Sequence, residues 1–153
     1  QLVTFVEGAA ESYGCGLNPP GSLSVLSGSP QVGTTVEFGV DNPMGTQASG
    51  SLPFLALSGM TDVGFPCGTP LPGFGMESPY TGELLISSPP ALILAGPLWT
   101  GAGSPAPIPI SIPNNGSLVG ATVYFQGILI DETPAALVPI GLTEGLAVTL
   151  GSL

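Results

Sequence analysis

Val32-Gly33-Thr34-Thr35-Val36-Glu37-Phe38-Gly39-Val40-Asp41 decides the fold class of this chain. Val32, Thr34, Val36, Phe38 and Val40 fall on one side of an extended backbone, with Gly33, Thr35, Glu37, Gly39 and Asp41 on the other. Side chains of a strand alternate between two faces, so this is a half-buried strand of an antiparallel sheet. Leu146, Val148 and Leu150 alternate with Ala147 and Thr149 in the same way near the end. Working outward, residues 22–26, 54–58, 83–87, 91–95 and 106–112 also read as strands, each bounded by Gly, Pro or Ser. Residues 121–131 form a longer run. Val123 and Phe125 share a face, Gly127 intervenes, and Ile128-Leu129-Ile130 follow. Either a bulge at Gly127 or burial on both sides would produce that pattern.

The 24 glycines and 18 prolines would suit a disordered chain if they diluted its apolar residues. They sit instead between short apolar runs, and hydrophobic residues make up 43% of the sequence. No window has helical spacing, although a short helical turn is expected near residues 134–138. At 153 residues the chain holds one domain. The expected fold is an all-β antiparallel sandwich, Ig-like or jelly-roll-like, of about seven to nine strands. Residues 13–153 are expected to form the domain and residues 1–12 an N-terminal extension. Pro105, Pro107 and Pro109 occupy alternate positions, so their missing donors fall on one lateral side, while Ala106, Ile108 and Ile110 keep theirs on the other. Such a strand belongs at a sheet edge.

There is no Lys, Arg or His, and ten Asp and Glu give a formal net charge of −10. This excludes a basic face for nucleic acid, a lysine Schiff base, and nucleophiles activated by His. It also removes imidazole from the ordinary zinc ligands, leaving two cysteines and scattered carboxylates. Those two, Cys15 and Cys67, have no cation to lower a thiol pKa and are expected to form a disulfide, which implies an oxidising compartment. The opening Gln1-Leu2-Val3-Thr4-Phe5 has no initiator Met, so a mature product after signal-peptide removal is expected, at the cell surface or outside the cell. No membrane span is expected. The most apolar window, residues 84–99, is broken by Ser87-Ser88-Pro89-Pro90 and by Gly96-Pro97, short of the ~20 unbroken residues required.

Several blocks together are similar to a known class. They are Tyr13-Gly14-Cys15-Gly16, Ile108-Pro109-Ile110-Ser111-Ile112-Pro113, Tyr124-Phe125-Gln126-Gly127 with Asp131, and Gly141-Leu142-Thr143-Glu144-Gly145-Leu146. The chain resembles uncharacterised secreted β domains common in planctomycete-like and myxobacteria-like bacteria. The resemblance implies fold and secretion, a cysteine pair at Cys15 and Cys67, and no activity.

Candidate chemistry is thin. The acids are scattered, and no spacing singles out a pair for glycoside hydrolysis. Asp41-Asn42 and Asp131-Glu132 are the tight oxygen-rich pairs, but no calcium loop surrounds them, and solvated turn acids are expected. No metal, no cofactor and no enzyme activity are expected. Asn115-Gly116-Ser117 matches the N-glycosylation acceptor and equally an Asn-Gly hairpin turn. Trp99, Tyr80, Tyr13 and Tyr124 could stack on sugars.

Leu2-Val3-Thr4-Phe5-Val6 is apolar on both faces, as a strand covered on both sides would be. Residues 1–7 would span ~23 Å as a strand, and Gly8-Ala9-Ala10 could let them swing outward. The expectation is therefore a structural subunit of an extracellular filament or surface layer, self-associating by strand donation, with no nucleic-acid partner and with glycans as an option. The alternative is a monomeric secreted binding or accessory module, for carbohydrate.

Overall fold

Short apolar runs separated by Gly and Pro become antiparallel strands in the computed structural model, which describes residues 5–153. In chain order these are β1 (Ala9–Tyr13), β2 (Leu23–Ser27), β3 (Thr35–Val40), β4 (Leu52–Ser58), β5 (Thr69–Pro72), β6 (Thr81–Leu84), β7 (Leu92–Ala95), β8 (Ala106–Ser111), β9 (Thr122–Ile130) and β10 (Ile140–Thr149). A five-stranded sheet has the order β1-β10-β9-β4-β7, and a three-stranded sheet the order β2-β3-β8. The alternating stretch around Phe38 places Val36, Phe38 and Val40 against the five-stranded sheet. Phe38 stacks on Phe125 of β9 with ring centroids 4.6 Å apart. Leu55, Leu129, Val148 and Ile108 complete this inter-sheet core. The fold is the expected antiparallel sandwich, with the disulfide Cys15–Cys67 in place. The described residues form ten strands against an expectation of about seven to nine, because the exposed β1 and the proline-bearing β5 carry no strand pattern.

The β5–β6 hairpin, continued by Leu85 and Ile86, forms a third layer over the other face of the large sheet. Leu85 donates its N–H to Gln126 Oε1 on β9 at 2.9 Å. This layer resolves the 121–131 run. Val123, Phe125 and Leu129 face the core, while Ile128 meets Leu84 and Ile86 on the outside. β9 is covered on both faces and has no bulge at Gly127. The register shift lies in its partner β10, between Leu142 and Gly145. There Thr143 Oγ1 accepts the Gly127 N–H at 2.7 Å. A side chain at Gly127 would meet Thr143 at 2.8 Å, so the glycine makes room for this contact.

β8 lies at a sheet edge, as its prolines require. Ile112 donates to Thr34 O and accepts from Gly33 N–H, so by alternation Ile110, Ile108 and Ala106 turn their backbone groups towards β3. Pro107 and Pro109 face outward.

Four further expectations need correction. β1 pairs along its whole length with β10, so residues 9–12 belong to the sandwich and not to an extension. Residues 134–138 form turns without helix, and the helical element among the described residues is a single 3-10 turn at Gly116–Leu118. Asn115 caps that turn with an extended backbone and is not the corner of a hairpin. Residues 83–87 do not form one strand: β6 ends at Leu84, and beyond it Ile86 makes a lone bridge to Thr61.

Asp131, where β9 ends, is buried and ties the sandwich to the loop before β4. Its Oδ2 accepts the Ala48 N–H at 2.9 Å, and its Oδ1 accepts the Thr133 N–H at 3.0 Å and the Thr133 hydroxyl at 2.6 Å. The Thr133 hydroxyl, then the Ala48 amide, hold its carboxyl below the ordinary value. A lowered folded pKa means a contribution that is whole above the unfolded pKa and lost as pH falls through the folded one. Asp131→Asn should therefore cost about 2 kcal/mol at neutral pH. It should also flatten the loss of stability below about pH 4, as urea unfolding against pH will show.

Candidate functional site

Glu83 is the most deeply placed acid, 1% exposed on β6 beside the disulfide. Its Oε1 accepts the Cys15 N–H at 2.7 Å, and its Oε2 accepts the Gly68 N–H at 3.1 Å. Those amides belong to one half-cystine and to the residue after the other, so the carboxylate and the S–S bond clamp the same two segments. Gly68 fits because any Cβ there would lie 2.1 Å from Leu84 O. Gly14, at φ +134°, holds a conformation that side chains disfavour, and a Cβ there would sit 3.0 Å from the Glu83 carboxylate.

The backbone of Glu83 is equally occupied. Asn18 accepts its N–H at 3.0 Å and donates to its carbonyl at 2.9 Å and to Thr143 O at 2.8 Å. Gln126 donates to the same two carbonyls at 2.8 and 2.9 Å. Asn18 and Gln126 thus bridge β6 to the β10 bulge, whose distortion leaves Thr143 O available for both. Among the described residues, no buried side-chain nitrogen or oxygen lacks a partner.

A cleft of about 200 Å³ opens beside this network, lined by Tyr13, Gly16, Asn18, Pro20, Glu83 and Glu144. Two acidic residues therefore line one cleft, which the scattered acids of the sequence did not signal. Glu144 Oε2 accepts the Gly21 N–H, and its own N–H is donated to Ser22 Oγ at 2.9 Å. Glu144 staples the loop before β2 to the large sheet, and Glu83 staples the disulfide segments to β6. Among the described residues, no three His, Cys, Asp or Glu are grouped to hold a metal ion.

The other singled-out residues are dispersed. Asp41 and Asp131 are buried rather than solvated. Asp41 accepts from Trp99 Nε1 at 2.9 Å and from the Gly103 N–H at 3.1 Å. Trp99 is thereby spent in the core. Tyr13 donates its hydroxyl to Leu85 O at 2.8 Å and packs on Phe65 and Tyr124 with centroids 5.4 and 5.8 Å away. Burial, then Tyr124 and Asp62, push the Tyr13 phenol far up. Tyr80 stands apart, in a left-handed backbone conformation. Asn115 is exposed, and its Oδ1 accepts the Ser117 hydroxyl at 2.8 Å.

Leu2, Val3 and Thr4 lie outside the described residues. Phe5 is 61% exposed. Val6 donates to Ser152 Oγ at 2.9 Å and accepts the Ser152 N–H at 2.8 Å, inside its own chain. Gly8 lies against the Pro30 carbonyl, while Ala9 and Ala10 pair with Thr149 and Val148. The expected hinge at residues 8–10 is thus fixed, and any departing arm ends at Phe5.

Two apolar features remain. An apolar cavity of about 170 Å³ lies between the sheets, walled by Val36, Ile110, Ile112, Leu118, Val123 and Leu150. At the far edge of the large sheet, β7 pairs among the described residues with β4 on one side alone, leaving Leu92 48% and Ile93 51% exposed. Among the described residues, no helix is long and apolar enough to cross a membrane. No family model, curated protein or solved structure matches the chain.

Glu83→Gln keeps the shape of the side chain but leaves one oxygen for two N–H donors. It should cost about 1.5–3 kcal/mol, read as a lower denaturation midpoint with the disulfide intact.

Proposed function

We propose that the protein is a structural subunit of an extracellular filament or surface assembly, and that its N-terminal arm joins subunits by strand addition. One observation carries this reading. The buried acids are consumed in internal stitching, while large apolar side chains are left on the surface. Glu83, Asp41 and Asp131 each hold main-chain or indole N–H groups, and Leu92 and Ile93 stand about half exposed and Phe5 more so. Exposed apolar groups of this kind mark interaction surfaces. The disulfide, itself favoured outside reducing compartments, supports the extracellular setting. Asn115, exposed and outside both sheets, would accept a glycan without disturbing the core.

The competing reading, a monomeric carbohydrate-binding module, draws support from Phe65, 53% exposed beside Tyr13 and Tyr124. Their rings meet at 47° to 80° and offer no flat platform for a sugar face.

Sedimentation velocity of the purified chain tests the assembly reading. Self-association is expected, and removal of residues 1–5 should leave a folded monomer. Every copy carries the same net charge of −10. Association should therefore strengthen as salt shortens the Debye length from about 30 Å at 0.01 M to about 8 Å at 0.15 M. A chain that stays monomeric at high concentration and at both salt levels would remove this function.

A further inference from the structure

Among the strand edges that could receive an arm, the described residues differ sharply. The outward side of β8 lacks donors at Pro107 and Pro109 and cannot carry a full ladder. β1 is fully exposed over Ala9–Ser12, offers no large apolar side chain there and carries Glu11. β2 bears the half-exposed Leu26, but its register is already broken between Val25 and Ser27. β7 is different. It is Leu-Ile-Leu-Ala without charge, its register with β4 is unbroken, and two of its apolar side chains are about half exposed. An uncharged apolar edge is a template for another strand, and proteins ordinarily blunt such edges with Lys, Pro or a bulge. Prolines stand just outside β7, at Pro89, Pro90 and Pro97, and none within it. Gly96 donates to Pro53 O, so by alternation Leu94 faces β4 and the backbone groups of Ile93 point outward, unpaired.

We propose that the free edge of β7 is the receptor for residues 2–5 of a second copy of this chain, which would add there as the sixth strand of the large sheet. This rests on the strand-addition reading above and names its acceptor. The occupant follows from the layout of the molecule. Residues 2–5 continue from the β1 side, where Val6 remains bonded to Ser152, and β1 and β7 are the two opposite edges of one sheet. Four residues of arm span ~13 Å, as do the four residues of β7. Leu2, Val3 and Phe5 are apolar. A sixth strand at this edge would set one face towards the inter-sheet core, near Leu94, and the other beside Ile93 and Ile86. Neither partner surface bears a charge, so ten carboxylates per copy are not brought face to face there.

Donor and acceptor are different surfaces at opposite edges, so the contact is head-to-tail. It extends into an open chain of subunits unless the rotation per step happens to close a ring. An arm taken up by the apolar cavity near Leu150 of its partner would instead allow reciprocal exchange and a closed dimer.

Two full-length variants and a mixing experiment test this. Ile93→Glu puts a charge on a half-exposed position, and Ile93→Pro removes the outward donor while sparing the bonds to β4. Both should keep the wild-type circular dichroism spectrum and weaken self-association by about 100-fold or more, as loss of a central anchor does. If one variant fails to fold, the other carries the test. The decisive arm mixes Ile93→Glu, which has an arm but no receptor, with the chain lacking residues 1–5, which has a receptor but no arm. Each alone should be monomeric, and the mixture should form one-to-one pairs that grow no further. Arm deletion that abolishes assembly while both Ile93 variants assemble normally would overturn the receptor and leave strand addition standing. Wild-type protein that never associates would overturn both. Closed dimers of the wild type would overturn the head-to-tail arrangement.

Discussion

Ten carboxylates and no cationic side chain form the constraint on which the rest of this structure depends. A buried carboxylate is costly unless charged or hydrogen-bonding partners replace its water. With no Lys, Arg or His to pair with, the buried acids must recruit N–H and O–H groups. Glu83 takes the amides of Cys15 and Gly68, Asp41 takes the Trp99 indole and the Gly103 amide, and Asp131 takes Ala48 and Thr133. Each acid thereby orders a Gly- and Pro-rich segment that makes few ladder bonds of its own. The long connections of the chain are held by acids from within, and the disulfide adds a covalent tie at the segment where Glu83 sits.

The same constraint shapes the outside. A chain without Lys or Arg cannot protect its sheet edges with positive charge, one of the devices natural sheets use. β8 uses alternate prolines instead, and β2 a break in register. β7 has neither. Low charge density and exposed apolar side chains would be hazards for an isolated monomer, and they become useful when neighbours cover them. The fold and the proposed assembly are in this sense two answers to one composition.

Much of the fold could be read from local pattern. The alternation at 32–41 gave β3, and its core-facing set Val36, Phe38 and Val40 is buried as expected. The proline triplet placed β8 at an edge because a missing donor is a property of the residue itself. Other elements left no local trace. Ala9–Tyr13 has no apolar alternation, since Ala9–Ser12 are exposed and pairing with β10 defines the strand. Thr69–Pro72 contains two prolines and reads as loop, yet it pairs with β6 over the outer face. The change of pattern at Gly127 fits either a bulge there or burial on both sides; β9 is covered on both faces, and the bulge lies in the partner strand at Thr143 and Glu144, which local pattern does not show. The cluster around Glu83 was invisible for a related reason. Asn18, Gln126 and Thr143 are far from it in sequence, and only the stacking of three layers brings them together. Buried Asp41 and Asp131 looked like turn acids because sequence does not show which N–H groups a fold will leave without acceptors.

If cationic side chains play no part in holding the molecule together, salt has no attractive ion pair to weaken and only repulsion to screen. The direct measurement is the urea midpoint of dilute, monomeric protein at neutral pH, followed from low salt to about 0.15 M sodium chloride, where the Debye length is about 8 Å. The midpoint should rise as repulsion among the ten carboxylates is screened. A midpoint that falls over this range would show that an attractive charge interaction stabilises the fold, and would contradict the account.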